Sequence, residues 1–355
     1  MTAAVHFVVP DSVDDPVRPS GGNTYDRHVR RGLASRGWSV HAHAVPGAWP
    51  RPEQPAVGVL AGVLQRIRDD SVVLVDGLVA SAAPEVLVPE ARRLREVILV
   101  HMPLGYLPDD QGGNVRTREA AVLSAAAAVV TTSGWTRSRL LELYSLPADR
   151  VHVAEPGVEV ADLATGTADG GALLCVAAVT FSKGHDVLVD ALEALSDLSW
   201  RCVCIGSLDR EPEFARRLRA RSLNGALDGR VAFPGPRTGA DLDRSYAAAD
   251  LLVLPSRAET YGMVLTEALA RGVPVVAAEV GGVTEAVGHG ADGARPALLV
   301  PPGDPRALGA ALRAWLCDPE LRGRLRRAAC ERRETLTRWA STASALDSVL
   351  AAASR

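Results

Sequence analysis

The chain has almost no lysine. Among its 39 basic side chains a single lysine, Lys183, stands against thirty-eight arginines. That is the bias a GC-rich coding sequence produces, and it leaves one retained ammonium to be explained. Aromatic residues are few and the formal charge is only -3, which gives no reason to expect a nucleic-acid partner. No segment reaches the roughly 18 apolar residues of a spanning helix, and the run 5–9 is too short and lacks the basic lead of a signal peptide. A soluble cytoplasmic protein without stable membrane insertion is therefore expected. The five cysteines are odd in number and contain no C-x-x-C pair. Cys202 and Cys204 fall on one face of a predicted strand and read as small core residues, neither zinc ligands nor a disulfide. The eight histidines show no H-E-x-x-H or comparable spacing, so no metal is expected.

What is present is an α/β pattern. At 355 residues the chain exceeds the size at which one core keeps growing, so two domains of about 150 to 200 residues are expected. Short apolar runs at 5–9, 72–75, 97–100, 129–132, 173–179, 201–205, 251–254 and 273–277 alternate with Ala/Leu/Arg-rich helical stretches. Uninterrupted apolar strands belong to parallel sheets covered by helices on both faces. The alternation pauses at Glu155-Pro156-Gly157-Val158-Glu159 and the Gly-rich stretch 161–171, which places a domain boundary there: residues 1–155, then 156–338. Doubly wound domains bind ligands at the carboxyl ends of their strands, and with two in tandem the chemistry is expected in the cleft between them. The arginine-dense stretch 322–338 is interleaved with Glu331 and Glu334 and reads as a solvated helix face.

Lys183 lies in Thr180-Phe181-Ser182-Lys183-Gly184-His185-Asp186, just past an apolar strand. A compact ammonium approaches a phosphate or developing oxyanion as a point charge, which a planar guanidinium does not. A second cluster runs Pro255-Ser256-Arg257-Ala258-Glu259-Thr260-Tyr261-Gly262-Met263-Val264-Leu265-Thr266-Glu267. Here Glu259 ends a strand-loop, Gly262, Met263 and Val264 open a helix, and Glu267 follows about one and a half turns on. Carboxylates accept from vicinal hydroxyls, while free first-turn amides and the lysine suit a diphosphate. Sugar, ribose and diphosphate together are the ligand that uses all three. In the first half, Ser20-Gly21-Gly22-Asn23 opens a helix where paired glycines admit close ligand approach, though a plain strand-to-helix turn explains them equally well. Asp241-Leu242-Asp243 has the form of a metal-binding D-x-D, yet it precedes Tyr246 in a helix-like stretch and reads as the start of a surface helix.

These landmarks, together with Val129-Val130-Thr131-Thr132-Ser133, Pro156-Gly157-Val158-Glu159 and Gly281-Gly282-Val283-Thr284-Glu285, resemble over essentially the full length the retaining glycosyltransferases of family 4, which have the GT-B fold of two Rossmann-like domains. The resemblance implies an acceptor-side domain and a donor-binding domain for a nucleotide-diphosphate sugar, with helix 339–353 packing back on the first. It makes Lys183, Glu259 and His101 catalytic. Donor binding would fall to Gly21, Gly22, Lys183, Glu259 (sugar hydroxyls), Gly262, Met263, Val264 and Glu267 (ribose), with no cofactor and no metal. His101, in Val100-His101-Met102-Pro103, matches a position where the family places a polar residue near sugar and acceptor, and a structural histidine fits equally. The polar loops 18–27 and 103–118 would line the acceptor side. A small soluble acceptor is favoured, because no basic amphipathic helix for a lipid surface is evident.

One departure from the family stands out. An arginine five residues before the lysine usually completes a two-cation clamp, and here that position is Ala178. Either Arg257 or His185 substitutes, or the leaving group is held differently, or activity is reduced. Three other readings share the architecture. They are a nucleotide-sugar epimerase, a pyridoxal-phosphate phosphorylase with Lys183 as its Schiff base, and a nucleotide-sugar sensor without turnover. Nucleotide base, sugar, acceptor and oligomeric state are not set by the sequence.

Overall fold

The computed structural model describes residues 3–106 and 114–355, so positions 107–113 of the expected acceptor loop lie outside the described residues. The chain forms two compact units, one of Met1–Asp15, Gly22–Gly157 and Thr337–Arg355, the other of Pro16–Gly21 and Val158–Leu336.

The first unit is a six-stranded parallel sheet in the order β2-β1-β3-β4-β5-β6, with β1 Ala4–Pro10, β2 Ser39–Val45, β3 Val72–Asp76, β4 Arg95–Val100, β5 Ala128–Thr131 and β6 Val151–Val153. Val73, Val75, Ile98 and Val100 on its central strands pack with Leu60, Leu64 and Leu87. Helix Gly21–Ser35 buries Tyr25, Val29 and Leu33, a four-residue spacing that keeps one stripe on the sheet. The Tyr25 hydroxyl donates to the Ala154 carbonyl at 2.8 Å, giving its polar end a partner inside the core. The C-terminal helix Trp339–Ala353 belongs to this unit. Thr342 Oγ1 donates to the Glu155 carbonyl at 2.6 Å and Trp38 Nε1 to Asp347 at 2.8 Å, while the Trp339 ring stacks on His28 at 4.1 Å.

The second unit repeats the scheme as β12-β11-β10-β7-β8-β9, with β7 Ala172–Val176, β8 Arg201–Ile205, β9 Val231–Gly235, β10 Leu251–Leu254, β11 Val275–Ala278 and β12 Ala297–Val300. Leu173, Cys175, Leu251 and Val253 enter one core with Leu188, Leu192 and Trp315. The alternate residues Leu174, Leu252 and Leu254 enter another with Leu265, Leu269 and Val283. Two cores, one on each face, are why these strands are apolar at every position. Truncating such a leucine, Leu252→Ala for instance, costs about 2–5 kcal/mol.

All eight expected apolar runs contain a strand. The four strands the periodicity did not announce, β2, β6, β9 and β12, are the edges of the two sheets. A second correction concerns helix Pro319–Thr335, whose arginines do more than face water. Arg322 donates to the carbonyls of Trp315 and Leu316, Arg326 to the buried Asp250, and Arg332 to the Val287 carbonyl. Among the described residues no helix is long and apolar enough to cross a membrane.

Candidate functional site

In the second unit, two strand-end loops are fastened to each other. The chain leaves β7, makes a short turn over Phe181–Lys183, and enters helix His185–Glu193 through Gly184 in the left-handed region at φ 69°. A side chain at Gly184 would collide with the Pro255 carbonyl, so only glycine lets the lysine loop come this close to the loop after β10. Across that contact Lys183 Nζ donates to Glu259 Oε2 at 2.6 Å. Glu259 is held from below: the Gly282 amide donates to its carbonyl at 3.2 Å, and Gly281, at φ 59°, leaves room for that carbonyl. Both side chains remain partly open, Lys183 at 30% exposure and Glu259 at 12%.

Arg257 makes the second fastening. Its guanidinium takes Asp186 with both nitrogens at 2.7 and 2.8 Å, donates to the Phe181 carbonyl at 2.8 Å, and lies over the Phe181 ring at 4.0 Å. Although burial opposes ionisation, the hydrogen bonds from Arg257 hold the Asp186 carboxyl below its ordinary value. This cation is already engaged by a carboxylate, so filling the place of the arginine absent at Ala178 would require it to share or leave Asp186. His185 is no freer. It is fully buried, with Nε2 3.7 Å from Cys175 Sγ. Ala178 itself is half-buried beside the end of β8, where the Gly206 backbone packs against it.

Glu267 sits on helix Met263–Leu269, which Gly262 caps at φ 89°. Its carboxylate accepts from the Tyr246 hydroxyl at 2.7 Å, and the Arg271 guanidinium lies over the Tyr246 ring at 4.8 Å. Burial raises the Glu267 carboxyl, and the Tyr246 bond and Arg271 charge only partly offset it. Met263 and Val264 are half-buried in the helix's first turn. The D-x-D lies on helix Gly239–Ala247, with Asp241 paired to Arg244 and Asp243 to Arg271, as a surface helix requires.

In the first unit His101 follows β4 and is gripped by two buried carboxylates. Nε2 lies 2.9 Å from Asp26 and 3.5 Å from Asp76. Burial alone would depress the imidazolium, but the Asp26 charge and hydrogen bond and the Asp76 charge outweigh it, so the imidazole is raised above its ordinary value. Asp76 also caps helix Gly77–Ala82 through the Leu78 amide at 2.7 Å. Gly21 opens helix Gly21–Ser35, and a Cβ on Gly22 would stand 3.3 Å from the His101 ring. Gly22 therefore also leaves space for this imidazole.

Sequence reading passed over Asp26, Asp76 and the role of Tyr246. Asp76 was within reach, since an acid at the end of an apolar strand is a signal. Asp26 was not, for its partner is 75 residues away. Among the described residues, two sets of three ligating atoms lie within 4.8 Å of one another, Asp26/Asp76/His101 and the buried Cys175/His185/Cys204. In the first, His101 hydrogen-bonds Asp26 and pairs with Asp76, which also accepts from the Leu78 amide.

The two folded sheets resemble those of solved GT-B proteins. Sucrose-phosphate synthase from Thermosynechococcus elongatus superposes with a TM-score of 0.81 at 21% identity, covering 99% of this chain and 98% of that one. Anabaena HepE, in complex with UDP and glucose, gives 0.77 at 17%, covering 98% and 99%. Residues 170–318, around the Lys183 and Glu259 loops, match the family "Glycosyl transferases group 1". The segment 170–318 is a group 1 glycosyltransferase segment, of the GT4 type. Within this group the chain is 34% identical over 245 residues to D-inositol 3-phosphate glycosyltransferase of Jonesia denitrificans, covering 63% of this chain and 57% of the relative. It is 28% identical over 246 residues to mannosylfructose-phosphate synthase of Agrobacterium fabrum, covering 64% and 53%. The match thus spans little more than half the length of these curated relatives. The group 1 assignment rests on the unit that carries Lys183, Glu259 and Glu267.

Proposed function

We propose that this chain is a retaining glycosyltransferase that moves a sugar from a nucleoside-diphosphate donor to a small hydroxylated acceptor. The observation that carries the reading is the ion pair between the chain's one lysine and the first glutamate of the E-x7-E segment, 2.6 Å apart. Lys183 meets the diphosphate, Glu259 the sugar hydroxyls, Glu267 the ribose, and the Gly262–Val264 amides the phosphate oxygens. As the sugar–phosphate bond breaks, negative charge gathers on the departing oxygen. A cation aimed there binds the transition state more tightly than the ground state. The acceptor hydroxyl attacks from the same face and its proton passes to the leaving phosphate oxygen. His101, oriented by Asp26, is assigned to the acceptor. No metal is assigned a part.

The named relatives and the sucrose-phosphate synthase fold neighbour make phosphate-bearing products or use a phosphorylated cyclitol, by their names. Phosphorylated sugars and cyclitols therefore head the acceptor panel. The test is a thermal-shift screen of UDP, GDP, TDP and ADP with their sugars, followed by turnover with that panel and NMR assignment of the product anomer. One nucleotide should raise the melting temperature and one acceptor should yield product with the donor's anomeric configuration. Donor conversion without any acceptor would point to an epimerase. Binding without turnover across the panel would point to a sensor, and either result overturns the proposal.

A further inference from the structure

Three histidines that the proposed transfer does not use meet at the edge of the first unit's sheet. His41 and His43 are two apart on β2, the outermost strand, and so share a face. The parallel register with β1 sets His6 beside His41. The His6 ring stacks between the other two, its centroid 5.1 Å from His41 and 5.2 Å from His43, with interplanar angles of 25° and 16°. His6 Nδ1 lies 3.0 Å from His43 Nε2, and His41 Nε2 lies 3.2 Å from Ser39 Oγ. His41 is exposed and the other two are half-buried, so solutes reach the cluster.

The charged groups around the cluster favour neutral rings. Burial first, then the neighbouring imidazoles, hold His6 and His43 below the ordinary histidine value, and Arg66 adds to this at His43. A neutral imidazole has a free lone pair, the form in which histidine binds metal.

We propose that His6 and His43, with His41 as an exposed third arm, form a binding site for a late first-row divalent metal ion such as Cu(II), Ni(II) or Zn(II). Two nitrogens each ~2.0–2.1 Å from one metal stand about 3 Å apart when they occupy adjacent coordination positions, and His6 and His43 already have that separation. The hydrogen bond between them needs one ring proton. On metal binding that ring's proton moves to its other nitrogen or leaves to solvent, its lone pair takes the metal, and the exposed His41 side chain swings in as the third ligand. Imidazole ligands beside an arginine select nitrogen-seeking ions and disfavour Mg(II) and Ca(II), which take oxygen ligands. The ion would clamp the edge strand β2 to β1. This inference stands on the first unit alone and is independent of the transfer reaction.

The test is calorimetric titration of the untagged full chain with Cu(II), Ni(II) and Zn(II) at pH 7.5, beside His6→Asn, His43→Asn, His41→Asn and, as an exposed control, His289→Asn. One ion per chain is expected, in the Irving–Williams preference for Cu(II), with affinity falling at least about tenfold in His6→Asn and His43→Asn, less in His41→Asn and not in the control. Nitrogen hyperfine splitting in the Cu(II) EPR spectrum, lost in a His6→Asn/His43→Asn double variant of native circular dichroism, reports the same ligands without calorimetry. The proposal is overturned if the folded double variant binds like the parent, or if the parent binds none of the three ions at ~100 μM, well above the range of multi-histidine sites.

Discussion

Ala178→Arg is the substitution that most sharply tests how the diphosphate is met. In the second unit the two other candidates for a second cation are occupied. Arg257 spends both nitrogens on Asp186 and a third bond on the Phe181 carbonyl, and His185 is wholly buried. Position 178 is half-buried at the carboxyl end of β7, five residues before Lys183. A guanidinium there would add one charge-assisted contact to a dianion, worth about 1.5–3 kcal/mol. Ordering a long side chain costs up to ~2 kcal/mol, less in a site that is partly ordered already. The net is about 1–2 kcal/mol, or roughly 5- to 30-fold tighter binding of the free nucleoside diphosphate. Calorimetric titration of each diphosphate nucleotide, on protein shown by circular dichroism to be folded, reads this directly. Unchanged or weaker affinity in a folded Ala178→Arg protein would refute the half-built clamp. If Arg257→Ala then abolished binding, Arg257 would be the second cation despite its partners.

Lys183→Ala is expected to lower turnover at least about a hundredfold, near 2.7 kcal/mol of transition-state stabilisation, in a folded protein; Lys183→Arg should be poorly active as well, and parental rates in either would remove the proposed role. Glu267→Ala should weaken free-nucleotide binding, whereas Glu259→Ala should spare it and impair transfer; equal losses of nucleotide affinity would contradict the division of ribose and sugar. Glu96 in β4 is 1% exposed and neither carboxylate oxygen has a hydrogen-bond partner among the described residues, so burial, with help from Glu90, raises its pKa from 4.5 to about 8. An acid raised by folding stabilises fully below its unfolded value and loses that contribution as pH climbs through the folded one, a cost at pH 7 on the order of 3 kcal/mol. Glu96→Gln should flatten the stability profile between pH 4.5 and 8, and urea unfolding showing the same slope in both proteins would count against the assignment.

By itself the sequence determined the class of fold and the placement of eight strands, because those strands are buried on both faces and are therefore apolar along most of their length. It missed three of the four edge strands for the converse reason. β9 alternates buried with exposed residues, β6 has three residues, and β2 carries three polar residues, two of them histidines. None of these three leaves an apolar run, whereas β12, Ala-Leu-Leu-Val, does and was passed over all the same. The sequence also singled out Lys183, Glu259 and Glu267, since a solitary lysine and two glutamates beside a glycine-capped helix are local signals. Which groups these side chains meet was decided only by tertiary structure. Lys183 meets Glu259 from 76 residues away, His101 meets Asp26 from 75, and Tyr246 meets Glu267 from 21. The partners of Arg257 were decided in the same way. Its charge reads as available along the chain and is spent on Asp186 in the fold, because the geometry of two strand-end loops, which no local pattern encodes, sets them 2.7 Å apart.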